Sequence, residues 1–457
     1  MTQPHILFVT GKLAEPALRR TLAELSVRAG FEFSVAVLPI TVASLATTAW
    51  IARHLPPITK VDKVMLPGLC SGDLAELAPI LANVPVERGP QDLRDLPQHF
   101  GKANQDREGY GGHDITILAE INHAPRLPLA DLLTQARKAK ADGADVIDLG
   151  CDPGSVWSGV SEAVRALRGE GLRVSLDTFD THEAEQGARA GGELVLSVNH
   201  TNRHAARDWG CAVVAVPDDP TTLGGLDETL AQLEKDRVAH RIDPVLEPIG
   251  FGFAASLGRY LEVRRRYPDA EMLMGVGNLT ELTDVDSAGV NVLLLGFCQE
   301  IGIRSVLTTE VINWCRSSIR ELDLARRLVH FACQRHVLPK NLEPGLVMLR
   351  DPRLRTYGDE MLKDLAERIT DRNFRLFAEA GLLHVINDRM HLTGTDPFAL
   401  FQQVSANIDI DSAHAFYLGH ELAKAEIALK LSKNYVQDRP LMWGLLGDDA
   451  ADHHAAG

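Results

Sequence analysis

Four short runs place polar side chains directly after apolar, strand-like segments, Glu120-Ile121-Asn122, Asp148-Leu149-Gly150, Asp177-Thr178 and Asn199-His200, and a fifth such segment runs into Gly250-Phe251-Gly252. Carboxylates and carboxamides at such places suit a flat heterocycle that carries an amide N–H, an exocyclic amine and ring-nitrogen acceptors along one edge. A carboxylate accepts two of those hydrogens, and an asparagine offers both a donor and an acceptor to the remaining ring atoms. Leaving such groups unpaired in a buried site costs about 1–3 kcal/mol each, so a matching ligand is selected. Any one of these residues reads as well as a helix cap. Five strand ends taken together are harder to dismiss.

These residues need a frame that brings strand ends together. Between residues 111 and 338 the chain alternates strands and helices, with candidate strands at 115–121, 145–149, 173–176, 194–198, 212–216, 244–250, 271–276 and 304–308. Helical stretches such as 129–141 and 255–266 fit between them. Eight parallel strands with intervening helices predict a (β/α)₈ TIM barrel, whose ligand mouth lies at the carboxyl ends of the strands. An open doubly wound sheet is the alternative.

The flanking segments read differently. Residues 1–110 predict a small N-terminal open α/β domain, with strands at 6–10, 33–38 and 63–66 and a helix through Leu18, Leu22 and Leu25. The polar, Gly-rich run 101–112 reads as a linker. Residues 339–446 predict a C-terminal α+β domain: a helix over 357–369, a hairpin of 382–386 with 390–392 turning at Asn387-Asp388, and a long helix over 413–431. The tail, 447–457, is expected to be disordered.

Composition bounds the function. A chain of 457 residues, 45% hydrophobic and 24% charged, is globular with two or three domains. A formal net charge of -15 argues against a broad basic face for nucleic acid, leaving only room for a local basic pocket. The six cysteines form no CxxC pair, so neither a zinc ribbon nor a disulfide framework is expected. No run of about 18 apolar residues is present, and a cytoplasmic protein without membrane contact is expected. The oligomeric state stays open, a homodimer included.

Residues 114–333 resemble the dihydropteroate synthase superfamily. The run from Gly143 to Gly150 is similar to that family's second strand, and Val174-Ser175-Leu176-Asp177-Thr178 to its third. The resemblance implies that Asp148, Asp177 and Asn199 hold a pterin, and that Asn122 lies where the family meets its metal and diphosphate, here Mg²⁺. Glu247-Pro248-Ile249-Gly250-Phe251-Gly252 resembles the family's Asp-Pro-Gly-Ile-Gly-Phe-Gly, which carries Glu247 and Gly250 into the pterin site. Asn122, Asp148 and Asp177 are then the catalytic set. Two departures stand out. After the seventh strand the family has a lysine where this chain has Gly277-Asn278-Leu279, and after the eighth it has an arginine and a histidine where this chain has Thr309-Glu310. Charge developing on a departing diphosphate needs a cation. Arg126, Arg203 and His204 on the mouth loops are candidates for that anion-binding role.

The three-part layout is similar to the dihydropteroate synthase-like proteins of tetrahydromethanopterin biosynthesis in methanogens and methylotrophic bacteria. That resemblance implies condensation of a dihydropterin methyl diphosphate with an arylamine, ribofuranosylaminobenzene phosphate. A pterin-dependent methyltransferase and a noncatalytic pterin-binding or assembly subunit are the other readings. Two further clusters are weighed on their own. Thr10-Gly11-Lys12 follows a strand but lacks the spacing of a phosphate-binding loop. His414, Tyr417, His420 and Glu421 share one helical face, which reads more readily as a packed face than as half of a metal site. Lys424 and Lys430 with Glu421 and Glu426 read as a solvated ion-paired face.

Overall fold

The computed structural model describes residues 3–447 except 41–42, 44–45, 59, 82–83, 91–92, 102–108 and 353. Most of the expected linker and the tail 448–457 lie outside the described residues. The chain forms two compact units, residues 1–109 with 357–364, and residues 110–356 with 365–457.

The first unit is an open parallel sheet of β1 (His5–Gly11), β2 (Glu32–Leu38), β3 (Lys63–Leu66) and β4 (Val86–Arg88), in the order β2-β1-β3-β4. Both faces are apolar, as a parallel sheet with crossover helices requires. Leu7, Val9, Leu38, Val64 and Leu66 fill one face. Ile6, Phe8 and Met65 meet Leu18, Leu22 and Leu25 of helix Glu15–Ala29 on the other. β4 was not expected: its three residues, Val86-Glu87-Arg88, are all half-buried and carry no apolar alternation. Asp73 caps the helical turn that follows, accepting from the Ala75 amide at 2.9 Å, so the loop 67–73 is a turn with a helix cap. Lys12 is exposed.

The second unit contains the (β/α)₈ barrel. Its strands are β5 (Thr116–Ile121), β6 (Val146–Gly150), β7 (Arg173–Asp177), β8 (Leu194–Val198), β9 (Ala212–Ala215), β10 (His240–Ile242), β11 (Leu273–Gly275) and β12 (Ser305–Thr308). All neighbours are parallel, in the order β10-β9-β8-β7-β6-β5-β12-β11. A bridge between Ile242 and Met272, with the Ile242 amide donating to the Glu271 carbonyl at 2.9 Å, closes the ring. Outward residues such as Ile117, Ile147, Leu149, Val174 and Leu176 build one continuous core with the helices around the ring.

The sixth strand is a correction. It occupies His240–Ile242, paired with Val213–Ala215, rather than 244–250. The apolar run after Asp243 cannot continue the ladder: Pro244 and Pro248 lack an N–H, and Val245 turns the chain with φ of 67°. Residues 243–252 are therefore a loop over the barrel's carboxyl end.

The remainder of this unit holds β13 (Arg375–Glu379), β14 (Leu382–Ile386) and β15 (His391–Gly394), an antiparallel sheet backed by helices Pro397–Asn407 and Ser412–Leu431. β13 and the first of those helices were not expected. The ion-paired face is corrected in part. Lys430 and Glu426 are a surface pair, but Glu421 is buried, accepting from Tyr435 Oη and Lys424 Nζ at 2.6 Å each. Among the described residues no helix is long and apolar enough to cross a membrane.

Candidate functional site

Inside the barrel the side chains sort by level. Leu118, Val146, Leu196, Val214 and Leu273 form an apolar plug. Side chains alternate across a strand, so the residue two further on points into the same interior. That residue is Glu120 on β5, Asp148 on β6 and, from Ser175, Asp177 on β7. Register agrees: Glu120 stands beside Asp148, Asp148 beside Ser175, and Gly150 beside Asp177. Asp243 follows the last residue of β10, its amide held by the Ala215 carbonyl at 2.9 Å. Four carboxyls thus gather at the carboxyl end of the strands. Asp148 is wholly buried, whereas Glu120, Asp177 and Asp243 keep part of their surface exposed.

Their partners are hydroxyls. Ser175 Oγ donates to Asp148 Oδ1 at 2.6 Å, Ser197 Oγ to Asp177 Oδ1 at 2.6 Å, and Tyr260 Oη to Asp243 Oδ1 at 2.5 Å. The Val245 amide adds a second donor to Asp243 at 2.8 Å. Asp148 Oδ2 is buried without a partner. Among the described residues Glu120 receives no hydrogen bond, and no lysine, arginine or histidine donates to any of the four. Glu120 fits only because position 150 is glycine: a Cβ there would stand 2.4 Å from Glu120 Oε1.

Crowding and burial act on these acids together. Burial, then the neighbouring Asp177 and Glu281, push Glu120 up to about 7. Burial, with a smaller push from Asp177, raises Asp243 to about 6 despite its donors. Asp148 is raised well above the ordinary carboxyl range by burial first and by Asp177 and Glu120 next, and burial also raises Asp177. Near neutral pH such a cup is part carboxylate and part carboxylic acid, so it presents acceptors and donors at once. That mixture matches the mixed edge of an aminopyrimidine ring.

The backbone around the cup is strained. Ser197 and Val245 both sit at φ of 67° and His123 at 52°, each on or after a strand end. Such non-glycine conformations cost of order 1–3 kcal/mol and cluster at functional sites. The β8–β9 register shifts between Val195 and Val198, and that bulge accompanies the turn of Ser197 toward Asp177.

The other expected residues lie around this cup in different states. Asn199 is half-buried, its Oδ1 accepting from Thr201 N at 3.0 Å and Thr201 Oγ1 at 2.7 Å. Its amide is held by Asn202 Oδ1 at 3.0 Å, and Asn202, fully buried, pins the loop through Ser197 and Phe179 carbonyls. Glu247 lies in the loop beyond β10, ion-paired with Arg259 at 2.7 Å. Gly252 allows that pair, since a Cβ there would fall 2.4 Å from Glu247 Oε2. Gly250 is exposed with φ of 89°.

The expected cations are occupied or peripheral. Arg126 grips Asp152 through two hydrogen bonds of 2.8 and 2.9 Å, with His123 on the same carboxylate at 2.6 Å. These partners, Arg126 first, hold Asp152 below the usual carboxylate range. Arg203 donates to Thr229 Oγ1 at 2.9 Å, and His204 and Asn122 are exposed. Where the sequence lacks its expected cations the structure places acids. Glu281 accepts from the Val311 and Ile312 amides at 2.9 Å each, and Glu310 from Lys138 Nζ at 2.8 Å and the Ile319 amide at 3.0 Å. Among the described residues no group of three or more His, Cys, Asp or Glu is arranged to hold a metal ion.

Sequence reasoning missed Asp243, which lies just before the strand expected at 244–250, and named Glu120 among the strand-end residues without assigning it a role. It also passed over the donors Ser175, Ser197 and Tyr260. The Asp243-Pro244 step and the Ser175-x-Asp177 alternation were the available signals.

Comparison with known proteins adds family context. The family described as pterin binding enzyme matches residues 123–239, a family of unknown function (DUF6513) matches 4–91, and the family PterinBD-DUF4346 matches 364–438. The uncharacterized protein MJ0107 of Methanocaldococcus jannaschii is 30% identical over 364 residues, which is 71% of this chain and 69% of that protein. Similar solved structures include the Yersinia pestis dihydropteroate synthase with a pterine-sulfa conjugate, 18% identical, covering 49% of this chain and 94% of that one with a TM-score of 0.40. The Coxiella burnetii enzyme in complex with pteroic acid is 13% identical, covering 49% and 94%, with a TM-score of 0.39.

Proposed function

Since the chain belongs to the same family as MJ0107 of Methanocaldococcus jannaschii, and its barrel matches the pterin binding enzymes, we propose that the barrel is a pterin-binding, dihydropteroate synthase-like enzyme. The observation that carries this reading is the cup of four carboxyls, three of them held by hydroxyl donors and, among the described residues, none by a cation. An aminopyrimidine edge offers the hydrogens such a cup lacks. Asp177 and Asp243, partly exposed, would meet those hydrogens, and Asn199 would bond the ring's remaining edge. Asp148 lies beneath, raised by its burial and by Asp177 and Glu120, and so serves as the most readily protonated member of the cup.

The chemistry we assign is the one the family resemblance suggested: a dihydropterin methyl diphosphate and an arylamine, ribofuranosylaminobenzene phosphate, joined during tetrahydromethanopterin assembly. The arylamine nitrogen forms its bond to the pterin methylene as the methylene–oxygen bond to diphosphate breaks, and the amine proton is lost. The carboxyl cup would stabilise positive charge on the pterin methylene as that bond breaks. Asn122 has an exposed carboxamide suited to one oxygen ligand of Mg²⁺, with substrate phosphates supplying others, and the ion would neutralise the departing charge. Arg203 and His204 stand among the mouth loops for the same anion, whereas Arg126 would first have to leave Asp152.

A second reading, methyl transfer from a methylated pterin, is favoured by Glu281 and Glu310 standing after β11 and β12. Acids there oppose a diphosphate, favour a cationic pterin and leave a neutral one little affected. Incubating the purified chain with the pterin diphosphate and either ribofuranosylaminobenzene phosphate or aminobenzoate, then measuring conjugate by mass, tests the first reading. Pterin binding without conjugate, together with methyl transfer to free cobalamin, would replace it with the second.

A further inference from the structure

The helix Ser412–Leu431 carries His414 and Tyr417 near its start; Tyr417 packs against the apolar layer of Leu418, Leu422 and Ala425, and both rings are half-buried. Both line a cavity of about 600 Å³ on the C-terminal sheet, within the size range of small-molecule sites. The His414 ring lies edge-on between Phe374, at 5.6 Å between centroids, and Tyr417, at 6.0 Å. Three aromatic rings thus line one cavity, a surface suited to a flat ligand.

The polar groups of the cavity are committed unequally. Arg375 is spent on Asp371 through two hydrogen bonds of 2.9 and 2.8 Å, so it offers little to an anion. Tyr417 Oη donates to Asp438 Oδ1 at 2.7 Å and accepts from Gln437 Nε2 at 2.8 Å, fixing the phenol and one carboxylate oxygen. The second Asp438 oxygen, the Asn373 carboxamide and both His414 ring nitrogens have no hydrogen-bond partner among the described residues. Asp438 is held at φ of 63°, a conformation that an aspartate adopts at a cost and that presents its carboxylate at the cavity. A carboxylate without a cation, a carboxamide and an imidazole set among aromatic walls select a planar ring with N–H donors on one edge, and disfavour a phosphate.

We propose that this cavity is a second small-molecule site, taking a planar nitrogen heterocycle with amino or amide donors, separate from the carboxyl cup of the barrel. Asp438 and Asn373 recognise the donor edge, and Phe374, His414 and Tyr417 hold the ring plane. The site therefore accepts the same ligand class as the barrel, and one probe reads both.

The test is hydrogen exchange of the full chain with 6-hydroxymethylpterin, repeated on Asp177→Ala and Asp438→Asn. Residues 371–376, 412–418 and 435–439 are expected to gain protection in the wild type and in Asp177→Ala, with the apparent affinity for that protection falling at least about tenfold in Asp438→Asn. His414→Ala provides an independent variant at the helix surface. Protection of the barrel loops alone, with none in these three segments at saturating pterin, would overturn the second site and leave the barrel reading intact. Protection of these segments alone would remove the barrel reading and support the second site. Absence of protection anywhere would overturn both.

Discussion

The two ends of the barrel handle buried charge in opposite ways. At the amino-terminal end Arg326, with 3% of its side chain exposed, donates to Asp145 Oδ2 at 2.5 Å, to Asp323 Oδ1 at 2.6 Å and to the Ile115 and Gly143 carbonyls. Asp145 also accepts from the Ile117 amide at 2.9 Å. Each charge of this cluster has an opposite partner. At the carboxyl end three of four carboxyls each take one hydroxyl donor, the fourth takes none, and among the described residues no cation is bonded to any of them. A buried ion pair with all its hydrogen bonds made is architecture. Like charges gathered without counterions are costly, and that cost is retained where a ligand relieves it.

The contrast breaks most sharply at its paired end. Arg326→Met leaves the half-buried Asp145 without its counterion and Asp323 with Arg327 alone, and is expected to cost about 2–4 kcal/mol, read from the denaturant midpoint. A loss under about 1 kcal/mol would mean that the base is not held by this charge. At the other end Asp177→Ala is expected to leave the midpoint unchanged or higher, because it removes a repelling charge, while weakening pterin binding on the order of 10–100-fold. If stability falls and binding does not, the assignment of the two ends is reversed.

Titration distinguishes the ends as well. Glu120 has an ordinary value of 4.5 and stands at about 7 in the folded chain. Between those values the folded chain keeps a proton that the unfolded chain has lost, so stability falls as pH rises through this window. The contribution is full below about pH 4.5 and gone once pH passes the folded value. Its size is on the order of 2–3 kcal/mol, and Glu120→Gln should flatten the slope. A slope unchanged by that substitution would show that Glu120 does not titrate there. The smallest effect is expected from Gly150→Ala, whose Cβ displaces Glu120 and should lower pterin affinity by roughly three- to tenfold without altering the base.

Much of this architecture was legible in the chain. The barrel is periodic because parallel strands buried on both faces read as apolar runs, and seven of its eight strands lie within a few residues of where those runs fall. The exception is instructive: Val245 and Leu246 look like strand, yet prolines on either side and a left-handed Val245 make a loop, and the loop leaves Asp243 at the strand end. Asp148 and Asp177 were legible from their positions. The role of Glu120 was not, because it lies in Gly150 on the next strand and Asp177 on the one beyond, 30 and 57 residues away in sequence. The serines that orient Asp148 and Asp177 were hidden for the same reason. Short elements such as β4 and β13 carry too little periodicity to announce themselves.

The account rests on the carboxyl cup as a pterin site. Calorimetric titration of the full chain with a dihydropterin, run beside Asp177→Ala at matched folded fraction, tests it most directly. The account predicts saturable binding in the wild type that Asp177→Ala weakens at least about tenfold at the barrel while the unfolding midpoint holds. Equal binding by the two proteins, or none by the wild type, would contradict it.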